Sequence, residues 1–216
     1  MSVMINPTII WDFNGTLLND LQACLDALNA ILAEHGLPTM SLSSYRQQFG
    51  FPVVNFYHAL GLCPESAFDW EALAESFHMR YLFSAHLALQ PGALEAVHAL
   101  QSRGVRQGVL SALEQALLEA QLEQFGLVGA MSFICGSRDY QGASKTQAAR
   151  SLRVEAPVVL IGDTLHDAEV ARSQGWSCIL CSAGHQTVER LQTAGCPVIE
   201  TLKDLPSCLP VLQRPL

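Results

Sequence analysis

Asp12 stands at the end of an apolar run, Thr8 to Trp11, and is followed at once by Asn14, Gly15 and Thr16. Three other places in the chain share that arrangement, just past an apolar run or at the mouth of the helix that follows. Ser111 comes after Gly108-Val109-Leu110, Lys145 opens a helical stretch, and Asp163 and Asp167 follow Val158 to Ile161. These side chains are chemically coherent. Two or three carboxylates can hold Mg²⁺, which prefers oxygen ligands and keeps several of its waters. A hydroxyl and an ammonium can hold phosphate oxygens. A further carboxylate, Asp12, can attack phosphorus and form an aspartyl-phosphate. Taken singly, each has an ordinary explanation: a turn cap for Asp12, a strand-end hydroxyl for Ser111, a solvated helix position for Lys145. The chemistry requires that the fold bring them together.

The pattern of the chain supplies such a fold. Thr8–Trp11 reads as a buried strand, a short apolar run closed by a turn signal. From Asp20 to His35 the apolar positions Leu21, Cys24, Leu25, Leu28, Ile31 and Leu32 recur at helical spacing, with Asn19 or Asp20 as cap and Gly36 with Pro38 as stop. Helices are expected over Ser41–Phe49, Val54–Leu60 and Glu65–Leu87, so that residues 19–88 hold helices and no strand. Beyond Gln90-Pro91-Gly92 helices and strands alternate. Helices are expected over Ala93–Ser102, Glu114–Phe125, Lys145–Leu152, Asp167–Gln174 and Gln186–Ala194, with another near Leu202–Leu209. Strands are expected over Gly108–Ser111, Met131–Cys135, Val158–Ile161, Ser177–Cys181 and Val198–Ile199, and a loop over Gly136–Ser144. Such alternation implies an α/β fold, a parallel sheet with right-handed crossovers. Residues 1–18 and 89–216 would form the core domain, and 19–88 an inserted all-helical domain. In a parallel sheet every strand-end position named above lies along one edge, where open α/β sheets place their ligands.

Composition limits the alternatives. The chain has 216 residues, a formal net charge of −8 and no Lys/Arg-rich block, which argues against a nucleic-acid surface. It contains no apolar run of membrane-spanning length, and Met1 to Pro7 lack the features of a signal peptide. The seven cysteines are scattered and odd in number, as expected for free thiols of a cytoplasmic protein. Cys178 and Cys181 are spaced like half a zinc site, but no second pair follows, so a core strand is expected there.

In order and spacing these motifs resemble the haloacid dehalogenase superfamily, in its phosphoglycolate-phosphatase-like branch. Asp12-Phe13-Asn14-Gly15-Thr16 corresponds to the first motif, Val109-Leu110-Ser111 to the second, Lys145 to the third, and Gly162-Asp163-Thr164-Leu165-His166-Asp167 to the fourth. The resemblance implies a Rossmann-like core carrying a helical cap and a Mg²⁺-dependent phosphatase for a small phosphorylated metabolite, either monomer or homodimer. It further implies that Asp12 is nucleophile and metal ligand, that the Asn14 carbonyl and Asp163 are further ligands, and that Asp167 supports the metal. Ser111 and Lys145 would bind the phosphoryl group, and Thr16 would orient the nucleophile or its neighbours.

Two positions depart from the family pattern. Where the family has a second Asp acting as general acid and base, this chain has Asn14, and an amide neither gives nor takes a proton near neutral pH. Three outcomes follow: turnover restricted to activated phosphates or slow on esters, a proton supplied by His166 or a cap residue, or a phosphate-binding relative with impaired catalysis. Ala112 stands where Asn often follows the motif-two hydroxyl, with the loss of one hydrogen bond to substrate. Substrate choice would lie in the cap, with Arg46 and Arg80 as candidate anion-binding side chains against the alternative of surface salt bridges. His58, His78, His86 and His185 are lesser candidates for pocket residues.

Overall fold

The computed structural model describes residues 6–63, 67–84, 86–137, 144–155 and 157–209. Its centre is β1 (Thr8–Trp11), buried throughout. A parallel strand covered on both faces reads as a continuous apolar run, which is the pattern Thr8–Trp11 shows. The chain then forms β2 (Leu18–Asn19), α1 (Leu21–Glu34), α2 (Leu42–Gln48), α3 (Val53–Ala59), α4 (Ala67–Leu82) and β3 (Ala88–Leu89). After these come α5 (Ala93–Gln101), β4 (Gln107–Glu114), α6 (Gln115–Gln124), β5 (Ile134–Ser137) and α7 (Ser144–Ser151). The remainder is β6 (Val158–Gly162), α8 (Leu165–Gln174), β7 (Ser177–Cys181), α9 (Val188–Gln192), β8 (Val198–Ile199) and α10 (Leu205–Cys208).

Six strands form the main sheet in the order β5-β4-β1-β6-β7-β8, every neighbouring pair parallel. The expected α/β class and parallel sheet are therefore present. Successive strands run outward from β1 in opposite directions, to β4 and β5 on one side and to β6, β7 and β8 on the other. A crevice opens at such a reversal. Below it, Trp11 Nε1 donates to Gln107 Oε1 at 2.9 Å, and Gln107 Nε2 donates to the Val97 carbonyl at 3.0 Å, so the buried polar atoms beside β1 are paired.

Several expectations are corrected. Residues 19–88 do contain strand: Leu18–Asn19 and Ala88–Leu89 pair antiparallel, Leu18 opposite Leu89 and Asn19 opposite Ala88. Two-residue strands carry no readable periodicity, and this pair joins the two ends of the helical segment. Helix α4 stops at Leu82, short of Leu87, and Glu65 at its expected start lies outside the described residues. The strand expected over Met131–Cys135 instead runs Ile134–Ser137, because Val128–Ala130 forms a 3₁₀ turn that takes Met131 N–H. Strand β4 continues past Ser111 to Glu114 through a register irregularity. The helix expected over Gln186–Ala194 is reduced to Val188–Gln192. Most of the loop expected over Gly136–Ser144 lies outside the described residues. Cys178 and Cys181 sit buried in β7, and all seven cysteines are free.

Candidate active site

Asp12 leaves β1 at its C-terminal end, Asp163 follows β6, and Asp167 lies in the first turn of α8. Carboxylate oxygens of the three come within 4.8 Å of one another, and all three residues are buried. Lys145, near the start of α7, reaches between them. Its Nζ donates to Asp12 Oδ1 at 2.6 Å and to Asp167 Oδ1 at 2.5 Å. The other Asp167 oxygen accepts from Thr164 N–H at 3.0 Å and Thr164 Oγ1 at 2.7 Å, so Asp167 both pairs with Lys145 and fixes the start of α8. Gly162 makes this approach possible, since a Cβ there would lie 2.3 Å from Asp167 Cγ. Asp163 accepts from Thr16 Oγ1 at 3.1 Å and from His185 N–H at 2.7 Å.

One ammonium among three buried carboxylates leaves a surplus of negative charge. Burial raises the Asp12 carboxyl well above the ordinary range against the pull of Lys145, and burial likewise raises Asp163 to about 6. Asp167 goes the other way: burial opposes its charge, but Lys145 and the Thr164 hydrogen bonds outweigh it and hold the carboxyl low. Lys145 is also opposed by burial, and Asp12 and Asp167 outweigh it and push its ammonium above the usual range. All the donors are oxygen, and the surplus is anionic, so the set suits a hard divalent cation.

Asn14 is held by residues that sequence reasoning did not bring to it. Its Nδ2 donates to Asp20 Oδ2 at 2.8 Å and to Tyr81 OH at 2.9 Å. A carboxylate only accepts, so the amide nitrogen must face Asp20 and the amide oxygen must face the other way. That oxygen accepts from Ser111 Oγ at 3.4 Å. Asp20, the residue before α1, makes no capping bond there. Its Oδ1 instead accepts from Gly15 N–H at 2.9 Å and contacts His185 Nε2 at 3.1 Å, and His185 Nδ1 contacts Tyr45 OH at 3.0 Å. Burial opposes the charge on both partners. The pair overcomes it, holding Asp20 below the carboxylate range and raising His185 to about 9.

A cavity of about 170 Å³ opens above these groups. Among the expected site residues, Asp12, Asn14, Ser111, Ala112, Lys145 and Asp163 line it. Thr16 lies beneath, on Asp163, and Asp167 is reached through Lys145. Arg46 and Arg80 do not enter. Arg46 donates to the Ser182 and Gln186 carbonyls, tying α2 to the loop after β7, and Arg80 pairs with Glu34 at 2.5 Å on the surface. His166 does not line the cavity either; it stacks on Phe51, which does, with ring centroids 4.8 Å apart. His58 and His86 are exposed, whereas His78 and His185 line the cavity. In the sequence Asp20 reads as a helix cap, and only the closed fold shows that it is buried and what it touches.

Two stability predictions arise here. Gly15 has φ +74°, and a Cβ would lie 2.2 Å from Asp163 Oδ2; Gly104 has φ +65° with nothing within 4 Å. Gly15→Ala and Gly104→Ala should share a cost of about 1–2 kcal/mol for the left-handed backbone. Gly15→Ala should show a clearly larger fall in Tm, and equal falls would show that Asp163 does not crowd Gly15. The second concerns pH. Asp163 titrates above its unfolded value, so its stabilising contribution is present at low pH and lost as pH rises through about 6. His185 is also raised, so its contribution is full below its unfolded value and lost as pH rises through about 9. Both slopes have the same sign. In chelator, Tm should fall from pH 5 to pH 9, and the increment from added Mg²⁺ should grow over the same range. Scanning calorimetry at each pH, with and without Mg²⁺, measures both.

The sequence pattern of the haloacid dehalogenase-like hydrolases matches residues 9–181. The chain belongs to that family. Similar members include phosphoglycolate phosphatase of Caulobacter vibrioides, 31% identical over 95% of this chain and 92% of that protein. Phosphoglycolate phosphatase of Rhodospirillum rubrum is 29% identical over 82% of this chain and 80% of that one. In three dimensions, a haloacid dehalogenase-like family protein from Streptococcus pneumoniae superposes with a TM-score of 0.77 at 16% identity, covering 94% of this chain and 98% of the other. This likeness shows the shared fold. In this chain Asp12, Ser111, Lys145 and Asp163 all line one cavity. Among the described residues no helix is long and apolar enough to cross a membrane.

Proposed function

We propose that the chain is a Mg²⁺-dependent phosphohydrolase that passes the phosphoryl group of a small substrate through Asp12. The observation that carries this reading is the Asp12–Lys145–Asp167 bridge, with Asp12, Ser111, Lys145 and Asp163 lining one cavity. Asp12, Asp163 and the Asn14 main-chain carbonyl would hold the cation, with Asp167 in support. Bound there, Mg²⁺ supplies charge neutralisation between an anionic nucleophile and an anionic phosphate. The anionic surplus of the three buried carboxylates fits that role.

An Asp12 carboxylate oxygen attacks phosphorus, the bond to the leaving oxygen breaks, and the leaving group departs with the electron pair. Lys145 favours the ionised form of the Asp12 carboxyl against burial, and with Ser111 it binds the phosphoryl oxygens. Water then cleaves the aspartyl-phosphate, its protons leave on the released phosphate, and the Asp12 carboxylate is restored. Asn14 transfers no proton at either step. The fitting substrates are therefore those whose leaving group departs readily as an anion, acyl and aryl phosphates ahead of sugar phosphates. The helical segment 19–88 walls the cavity and would act as the cap that excludes water.

The test is hydrolysis of acetyl phosphate and p-nitrophenyl phosphate in Mg²⁺ and in chelator, with acid quenching and mass analysis of the peptide carrying Asp12. The expected result is Mg²⁺-dependent turnover and a phosphoryl adduct on that peptide. Phosphate binding with no turnover of either substrate would make the chain a non-catalytic relative. Turnover with no adduct on Asp12 would remove it as nucleophile.

A further inference from the structure

The cavity beyond the phosphoryl site differs from what a carboxylate-bearing substrate needs. Its walls include Leu28, Phe49, Phe56, Trp70, Phe77 and Leu113. The rings pack on one another: Phe49 and Phe56 meet edge-to-face at 5.5 Å, and Tyr57 and Trp70 lie 5.6 Å apart. Among the described residues the lining contains no arginine; its one lysine, Lys145, is shared by two carboxylates, and its histidines are held by other groups, His185 by Asp20 at 3.1 Å and His78 by the Ala74 carbonyl at 2.7 Å. Arg46 and Arg80 are committed to the Gln186 carbonyl and to Glu34. A second anion entering this space would lose its water and meet aromatic faces, at a cost that only a paired cation offsets. The whole cavity, phosphoryl site included, measures about 170 Å³, room for a small substrate only.

Asn14 sets a second limit. With its amide nitrogen held by Asp20 and Tyr81, it turns only an acceptor oxygen toward Ser111. A departing alkoxide receives neither a proton nor a hydrogen bond from that oxygen. A phenoxide carries its charge into the ring and needs neither.

We propose that the substrate is a phosphate monoester of a small aromatic hydroxyl compound carrying no second anion. This rests on the phosphohydrolase reading of Asp12 and names the substrate class of the same site. It separates the chain from the phosphoglycolate phosphatases it resembles, since 2-phosphoglycolate pairs its phosphate with a carboxylate on a body too small to fill the aromatic walls.

The experiment is steady-state kinetics of the full chain in Mg²⁺ with phenyl phosphate, 4-carboxyphenyl phosphate, benzyl phosphate and 2-phosphoglycolate, with acetyl phosphate as a probe of phosphoryl transfer alone. Phenyl phosphate should exceed 4-carboxyphenyl phosphate by about tenfold or more in kcat/KM, chiefly through KM. It should exceed benzyl phosphate by about a hundredfold, chiefly through kcat. Phe77→Arg, which adds a cation to the wall, should shrink the first ratio by about tenfold. Equal or better use of 4-carboxyphenyl phosphate or 2-phosphoglycolate, with acetyl phosphate hydrolysed, overturns the substrate class and leaves the phosphohydrolase reading standing. No turnover of any substrate overturns the phosphohydrolase reading. Calorimetric titration with phenyl phosphate and 2-phosphoglycolate then still decides what the cavity prefers to bind, and preference for 2-phosphoglycolate overturns the proposal.

Discussion

Asn14→Asp is expected to raise kcat for an alkyl phosphate by about 10²–10⁴-fold, the range that general acid–base catalysis supplies, while changing acetyl phosphate turnover little. The contrast follows from the leaving groups. An alkoxide needs a proton as the bond to phosphorus breaks, and a carboxylate does not. The new carboxyl would stand where the Asn14 amide now lies, its nitrogen 2.8 Å from Asp20 Oδ2. Two carboxyl groups that close do not ionise together readily, so one retains a proton, and that proton is what an alkoxide lacks in the native site. The same crowding should lower Tm, because a neutral donor to Asp20 and Tyr81 is replaced by a group that competes for their hydrogen bonds. Parallel kinetics on benzyl phosphate and acetyl phosphate separate the outcomes. Equal gains on both would mean that the substitution repairs geometry and not proton transfer, and no gain on either would mean that position 14 does not face the leaving oxygen.

Asp12, the proposed nucleophile, was legible in the sequence because it lies at the end of an uninterrupted apolar strand. Thr8–Trp11 is buried on both faces, so its boundaries coincide with the boundaries of its apolar run, and Asp12 marks the break. The same holds for Asp163 after β6. Ser111 is different: β4 continues three residues past it through an irregular register, yet the residue still faces the cavity. What the sequence did not disclose is the set of groups around Asn14. Tyr45, Tyr81 and His185 come from α2, α4 and the loop after β7, and Asp20 reads locally as a helix cap. No local spacing encodes a contact such as His185 with Asp20, 165 residues apart. Arg46 and Arg80 illustrate the converse. Guanidinium groups on cap helices suggested anion binding, but a long flexible side chain takes whichever partner the fold presents, here main-chain carbonyls and a surface glutamate. The short strands β2 and β3 escaped for another reason, since a two-residue pair has no period to detect.

Lys145→Met is expected to lower both stability and turnover, and the two losses should respond differently to Mg²⁺. The lysine is 3% exposed, and its ammonium is the shared counter-ion of Asp12 and Asp167. Removing one partner of a buried ionic group leaves the rest uncompensated, at a cost of about 3–5 kcal/mol. For a chain of this size that corresponds to a fall in Tm of roughly 6–20 °C. Without the ammonium, burial raises both carboxyls above their unfolded values, so the variant should regain stability as pH falls from 8 to 5. Added Mg²⁺ should restore part of the Tm near neutral pH, because a cation bound by the folded carboxylates stabilises the folded chain by mass action. Turnover should stay low under the same conditions, by about 10²–10³-fold, the usual loss when one donor to a developing anionic centre is removed. Calorimetry and acetyl phosphate kinetics on the same Mg²⁺ titration compare the two. If Mg²⁺ restores stability and turnover together, Lys145 serves only to neutralise buried charge. If it restores stability alone, the ammonium acts on the phosphoryl group itself, and the bridge from Asp12 to Asp167 is a resting arrangement that substrate displaces.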